Sequence, residues 1–340
     1  MYRVKTASKA SSIAVLGAGS WGTALAIQLG RAGQHPTIWG IETDVMEEMS
    51  SARRNSRYLP NIELPDAVRV CENLHEILAT HSDFLLCVPS HAFREVLERM
   101  RNDLSQNARV AWATKGFEVS TGMLPHEVAR SVLGDQLPLA VLSGPTFASE
   151  VGKGLPTAMT IAATDAAYAE QLSQQLSDRT FRTYTSGDLI GVEVGGAVKN
   201  VLAIATGISD GLGFGANTRV ALITRGLAEM TRLGLALGAS ADTFMGLSGM
   251  GDLVLTCTDN QSRNRRLGLA LADGKSVAAA SNEIQQVVEG INAARSVREV
   301  AARENVEMPI CEQVYRTLYE NSPPDEAGRN LMGRALKSER

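Results

Sequence analysis

Between an apolar run, Ile13-Ala14-Val15-Leu16, and an alanine-rich stretch from Thr23 to Ala32, the chain reads Gly17-Ala18-Gly19-Ser20-Trp21-Gly22. A strand passing through this glycine spacing into a helix predicts a dinucleotide cofactor. Gly17 permits the tight turn, Gly19 lets a pyrophosphate reach bare backbone, and Gly22 lets the helix pack close to the strand. Free N–H groups and the positive end of the helix dipole converge there, so an anion binds without a basic side chain.

Further strand-like runs recur up to about residue 185: Thr37-Ile38-Trp39, Val68-Arg69-Val70, Phe84 to Val88, Val110 to Ala113, Leu139 to Leu142 and Met159-Thr160-Ile161. Helical stretches separate many of them, which predicts a mostly parallel sheet covered on both faces, with ligands at the carboxyl ends of its strands. After Thr185-Ser186-Gly187-Asp188 the texture changes to alanine- and leucine-rich helical stretches, with Asp188 as a helix cap. The expected fold is α/β, a Rossmann-like dinucleotide-binding domain over 1–187 followed by an all-α domain over 188–340. Pro323-Pro324 is expected to stop a helix, and the charged residues from Leu331 to Arg340 to end in a mobile tail.

At 340 residues the chain is long for one core. A formal charge of −4 gives no sign of a nucleic-acid partner. Cys71, Cys87, Cys257 and Cys311 show neither a paired spacing nor a histidine partner, and read as reduced interior thiols in a cytoplasmic protein. No apolar run reads as a bilayer span, and Met1 to Ser12 lacks the apolar core of a secretion signal and reads as a soluble tail. His35, His75, His81, His91 and His126 have no metal spacing and read as surface or capping residues; no metal is implied.

Three segments carry candidate chemistry. In Glu193-Val194-Gly195-Gly196-Ala197-Val198-Lys199-Asn200, two glycines in a helical stretch each cost roughly 1 kcal/mol against alanine and share a face with Lys199. They leave room for a ligand beside an ammonium that desolvation makes a usable acid or base. A snorkelling lysine beside a close helix contact fits equally. Asp252 follows Gly246-Leu247-Ser248-Gly249-Met250-Gly251, which reads as a shaped loop; it orients a substrate hydroxyl or Lys199, or caps the next helix. Ser262-Arg263-Asn264 opens a helix with two hydrogen-bonding side chains and a guanidinium suited to a phosphate monoester, while Arg265 and Arg266 read as a solvated basic face.

Trp39 is followed by Gly40 and Ile41 where an acidic ribose ligand is usual, and Glu42 comes late. Arg53, Arg54 and Arg57 are candidates for a 2′-phosphate, which favours NADPH over NADH. Residues alone support a nicotinamide-dependent reductase of a small anionic carbonyl compound; a carboxylate substrate such as ketopantoate stays open, as does a cofactor-sensing protein without catalysis.

Taken together, the glycine turn, Ala113-Thr114-Lys115-Gly116, Leu142-Ser143-Gly144-Pro145-Thr146-Phe147-Ala148, the Lys199 segment, Gly249-Met250-Gly251-Asp252, Ser262-Arg263-Asn264 and Val287-Val288-Glu289-Gly290 resemble the bacterial NAD(P)-dependent glycerol-3-phosphate dehydrogenases over nearly the whole chain. The resemblance implies reversible hydride transfer between NAD(P)H and dihydroxyacetone phosphate, giving sn-glycerol 3-phosphate for phospholipids, in a cytoplasmic enzyme that is often a homodimer. It implies Lys199 as the acid/base residue. It places Lys115, Gly144, Thr146, Asp252, Ser262, Arg263 and Asn264 around the substrate, and Ser20, Trp21, Lys115, Ala148, Arg263, Val287 and Glu289 at the cofactor. Thr146 stands where many family members have Ser, and either hydroxyl donates.

Overall fold

A computed structural model of the chain describes residues 13–333. The expectations for Met1 to Ser12 and for residues 334–340 lie outside the described residues. Strands run in the order β1 (Ile13–Leu16), β2 (Thr37–Trp39), β3 (Arg54–Asn55), β4 (Leu59–Glu63), β5 (Arg69–Val70), β6 (Asp83–Leu86), β7 (Arg109–Trp112), β8 (Leu139–Ser143), β9 (Thr157–Ala163) and β10 (Phe181–Ser186). Eight of them form one sheet in the order β10-β9-β8-β7-β6-β1-β2-β5, and β3 and β4 form a separate antiparallel hairpin. From β5 across to β8 all neighbours are parallel. β9 pairs antiparallel with β8, and β10 runs with β9.

Chain order reverses at β1, which lies between β2 and β6. At such a switch point the crossovers leave on opposite faces and open a crevice beyond the strand ends. The central strands are apolar on both faces because both are covered. Ile13 and Val15 join one core with Leu25 and Leu29, while Ala14 and Leu16 join another with Phe84, Leu86 and Trp112.

Among the described residues, everything after Ser186 is helical or irregular. The Leu189–Gly211 helix follows Asp188, whose Oδ1 accepts the Gly191 N–H at 2.8 Å. By length and composition it could cross a membrane, contrary to the sequence reading. However, 89% of its most apolar window is buried, because it is the central core helix. Leu189 and Val192 pack under the sheet with Trp112, whereas Val194, Ala197, Val198 and Val201 belong to the helical core. Its far end crosses the Arg263–Ala272 helix through two glycines: a Cβ on Gly207 would lie 2.2 Å from the Arg265 carbonyl oxygen, and one on Gly268 2.2 Å from that of Ile204. Pro324 opens the last helix, Pro324–Met332, at its first position, and the preceding helix has already ended at Tyr319; the proline pair starts a helix rather than stopping one.

Candidate active site

Gly17 has φ +122, and a Cβ there would sit 2.5 Å from the Cys87 carbonyl oxygen, just past β6. A Cβ on Gly22 would meet the Gly17 carbonyl oxygen at 1.8 Å. Around the Cβ position of Gly19, by contrast, nothing lies within 4 Å. The turn is therefore closed where it meets protein and open where a pyrophosphate would rest. Gly19 is the N-cap of the Ser20–Arg31 helix, whose first N–H groups point into this opening without a side-chain cap. Ser20 donates its hydroxyl to the Tyr58 carbonyl at 2.6 Å, and the buried indole N–H of Trp21 has no protein partner. These features fit a dinucleotide.

The β3–β4 hairpin leans on this turn through Asn55, whose amide donates to the Ala18 carbonyl at 2.8 Å. Arg53 donates from Nη2 to the carbonyls of Pro65 and Val68, at 2.6 and 2.8 Å, which ties it to that loop. Arg54 pairs with Glu63. Arg57 faces Glu42 at 3.2 Å, and also pairs with Asp44, at the start of the Thr43–Ser51 helix that follows β2.

Beyond the carboxyl ends of β7 and β8 lies a buried carboxylate between two lysines. Asp252 Oδ1 accepts from Lys199 Nζ at 2.5 Å, and Oδ2 from Lys115 Nζ at 2.6 Å. Lys199 donates also to Thr256 Oγ1 at 3.1 Å, and Ser143 Oγ stands 3.5 Å from Oδ2. Burial pulls the Lys199 pKa down from 10.5 to about 8; Asp252 opposes the fall and Lys115 adds to it. Burial works to raise the Asp252 carboxyl, but the two ammoniums outweigh it and hold the group below its ordinary value.

Asp252 begins the Asp252–Thr258 helix and caps nothing there, since its carboxylate is turned to the lysines. The preceding segment is not a loop but a wide π-helical turn, Leu247–Gly251, running straight into that helix. The space beside the paired glycines is filled by protein. A Cβ on Gly195 would lie 2.6 Å from the Ser248 carbonyl oxygen, and one on Gly196 3.3 Å from the Lys115 stem. The glycines seat the π-turn and the second lysine rather than a ligand.

Ser262 caps the Arg263–Ala272 helix, its Oγ accepting from the Arg265 N–H at 3.2 Å. Asn264 is buried, donating to Asn200 Oδ1 and accepting from the Gly290 N–H, both at 2.9 Å. Arg263 is half-buried at this helix start, and its guanidinium makes no hydrogen bond among the described residues. Arg265, expected on a solvated face, is instead buried and paired with Asp210, leaving only Arg266 exposed. Gly144 and Thr146 follow β8: a Cβ on Gly144 would strike Met159 Cα at 2.8 Å, and Thr146 Oγ1 lies 3.2 Å from the Gly144 carbonyl. Ala148 starts the Ala148–Lys153 helix. Val287 is exposed. Glu289 begins the Glu289–Arg303 helix, where burial raises its pKa against the attraction of Arg263, Lys115 and Lys199.

Sequence reasoning missed Thr256, Ser143 and the buried partnership of His126 with Glu193. His81 and His126 are both buried rather than surface residues. The hydroxyls carry no spacing signal, and the histidine's carboxylate is 67 positions away.

Two family models, described as the N-terminus and the C-terminus of NAD-dependent glycerol-3-phosphate dehydrogenase, match residues 12–169 and 188–329. The chain belongs to this family. A glycerol-3-phosphate dehydrogenase [NAD(P)+] of Pseudoalteromonas translucida is 55% identical over 97% of the chain and 98% of the relative. Its counterpart in Idiomarina loihiensis is 54% identical over 96% and 98%. The crystal structure of glycerol-3-phosphate dehydrogenase from Coxiella burnetii superposes with a TM-score of 0.93 at 47% identity, covering 95% of this chain and 99% of that one. The two-part family architecture accounts for a sheet and a helical bundle that share the Leu189–Gly211 helix.

Proposed function

We propose that the protein catalyses reversible hydride transfer between NADP(H) or NAD(H) and dihydroxyacetone phosphate, forming sn-glycerol 3-phosphate. The observation that carries this reading is the Asp252 carboxylate held between Lys115 and Lys199 beyond the strand ends, beside a glycine turn left open at Gly19. When bound, the reduced nicotinamide supplies the hydride. Lys199 gives its proton to the carbonyl oxygen as that atom becomes an alkoxide, and a pKa of about 8 suits the transfer near neutral pH. Asp252 and Thr256 fix the ammonium in place. Lys115 adds a second positive charge toward the same oxygen.

The reading gives Ser262, Arg263 and Asn264 the phosphate, at a helix start where backbone N–H groups and an uncommitted guanidinium act together. Gly144 and Thr146 border the substrate from the end of β8. On the cofactor side it gives the pyrophosphate to Gly17, Gly19 and Gly22, and the remaining contacts to Ser20, Trp21, Lys115, Ala148, Arg263, Val287 and Glu289. Arg54 and Arg57 carry the expectation of NADPH, and a 2′-phosphate would have to compete with their surface ion pairs to Glu63 and to Glu42 and Asp44. The division into a cofactor domain over 1–187 and a substrate domain over 188–340 is supported by the last strand ending at Ser186. By the same resemblance the enzyme is a cytoplasmic homodimer serving phospholipid synthesis. A cofactor sensor is not favoured, because it has no use for the lysine pair.

The test is loss of NADPH and NADH absorbance on adding dihydroxyacetone phosphate, with unphosphorylated dihydroxyacetone and ketopantoate in parallel. Turnover dependent on the phosphate is the expected result. Cofactor binding with no oxidation of either cofactor overturns the reading.

A further inference from the structure

The two ammoniums that meet on Asp252 are carried by different elements: Lys115 stands three residues past the end of β7 at Trp112, and Lys199 on the Leu189–Gly211 helix. Besides the apolar packing of Leu189 and Val192 near Trp112, a polar side chain joins those elements. Glu193, buried, lies on the same helix as Lys199, about 9 Å along its axis. Its Oε1 accepts from the Trp112 indole N–H at 3.2 Å and from the His126 backbone N–H at 2.9 Å. Its Oε2 lies 2.5 Å from His126 Nδ1. His126 is itself buried, in the first turn of the Pro125–Leu133 helix, so the carboxylate also receives that helix's positive end. Burial works to lower the His126 pKa, but the Glu193 carboxylate outweighs it and holds the imidazole above its ordinary value.

Stability alone is a poor reason for this cluster. A buried ion pair loses its hydration, and apolar side chains of similar volume often hold a core as well or better. Geometry is a better one, because Glu193 pins the strand end leading to Lys115 against the helix bearing Lys199. Trp112 is itself locked, fully buried and edge-on to Phe93 at 5.6 Å.

We propose that Glu193, through Trp112 and His126, is a positioning residue of the reaction that sets the separation of Lys115 and Lys199 across Asp252. This rests on the reading of Lys199 as proton donor. It touches neither the phosphate end nor the glycine turn, so its loss acts chiefly on turnover, and any change in ligand affinity comes through Lys115 alone.

The experiment compares Glu193→Met, a neutral side chain of similar size, and Trp112→Phe, which removes the indole N–H together with the fused five-membered ring of a buried side chain, with the wild type. Melting temperature, NADPH affinity, and kcat and KM for dihydroxyacetone phosphate are measured for each. A misplacement of the order of 1 Å is enough to cut turnover steeply. The expected result is a fall in kcat of about tenfold or more for Glu193→Met and about threefold for Trp112→Phe, with KM and cofactor affinity within about twofold of wild type. A folded Glu193→Met with wild-type kcat overturns the proposal. If Glu193→Met does not fold, Trp112→Phe decides alone: wild-type kcat overturns it, and a fall in kcat at constant KM supports it. Lys199→Ala is assayed beside them. If it retains turnover, the reading of Lys199 fails; if it is inactive while the Glu193 and Trp112 variants keep wild-type kcat, only the positioning role fails.

Discussion

Lys115 and Lys199 share one carboxylate, each holding a different oxygen of Asp252, at 2.6 and 2.5 Å. Two positive charges against one negative leave the buried cluster with a net positive charge. An anionic substrate relieves that imbalance on arrival, and an oxygen gaining negative charge during reduction relieves it further.

Replacing Lys199 with Ala removes the proposed proton donor without touching the glycine turn. The expected outcome is a loss of turnover of about 1,000-fold. Cofactor fluorescence titration is expected to give wild-type NADPH affinity.

Because Lys199 titrates at about 8, the two reaction directions respond oppositely to pH. Ketone reduction needs the ammonium and declines as pH rises through about 8; alcohol oxidation needs the free amine and increases over the same range. Stability follows its own sign. Between about 8 and 10.5 the unfolded chain holds this proton and the folded chain does not, so the group's contribution to stability rises with pH across that window. Initial rates and melting curves against pH check both.

Asp252→Asn leaves Lys115 and Lys199 facing each other without their anion. The Asp252 charge supports protonation of Lys199, so its loss shifts the alkaline limb of reduction to lower pH. A kcat lower by about 100-fold is expected beside that shift.

Arg263→Ala removes a guanidinium that faces Glu289 and makes no hydrogen bond among the described residues. Hydrogen bonds to charged groups contribute about 1.5–3 kcal/mol, so the preference for dihydroxyacetone phosphate over dihydroxyacetone is expected to fall by roughly 10- to 150-fold. The ratio of kcat/KM values for the two ketones measures it.

Gly19→Val and Gly22→Val separate the roles of the glycine turn. The first adds bulk to open space and is expected to spare the melting temperature while weakening NADPH binding. The second drives a side chain into the Gly17 carbonyl, 1.8 Å from where its Cβ would lie, and is expected to lower both. Calorimetry and fluorescence titration distinguish them.

The glycine turn was legible because its chemistry is backbone geometry, and Gly17, Gly19 and Gly22 encode that geometry locally. The core strands β1, β2 and β6 to β9 were legible from their apolar runs, buried on both faces. The β3–β4 hairpin was not, since its strands are short, polar and interrupted by Pro60. At the site, Lys199, Asp252 and Ser262-Arg263-Asn264 stood out by composition. What surrounds them did not, because it is set by packing between distant segments: Gly195 accommodates the Ser248 carbonyl, Arg265 reaches Asp210, and His126 reaches Glu193. A helical alanine-glycine pattern reports that something comes close. It does not report whether the neighbour is ligand or protein.

Where Gly207 meets Gly268, the helix bearing Lys199 and the helix opened by Arg263 touch through backbone with no side chain between them. Backbone has no rotamers to exchange, so this crossing cannot relax by repacking as a leucine contact does. On the proposed reading, the span from Lys199 to Arg263 is thereby a gauge cut in the main chain. A side chain at either glycine would push the two helices apart and, on that reading, lengthen the reach between the two groups.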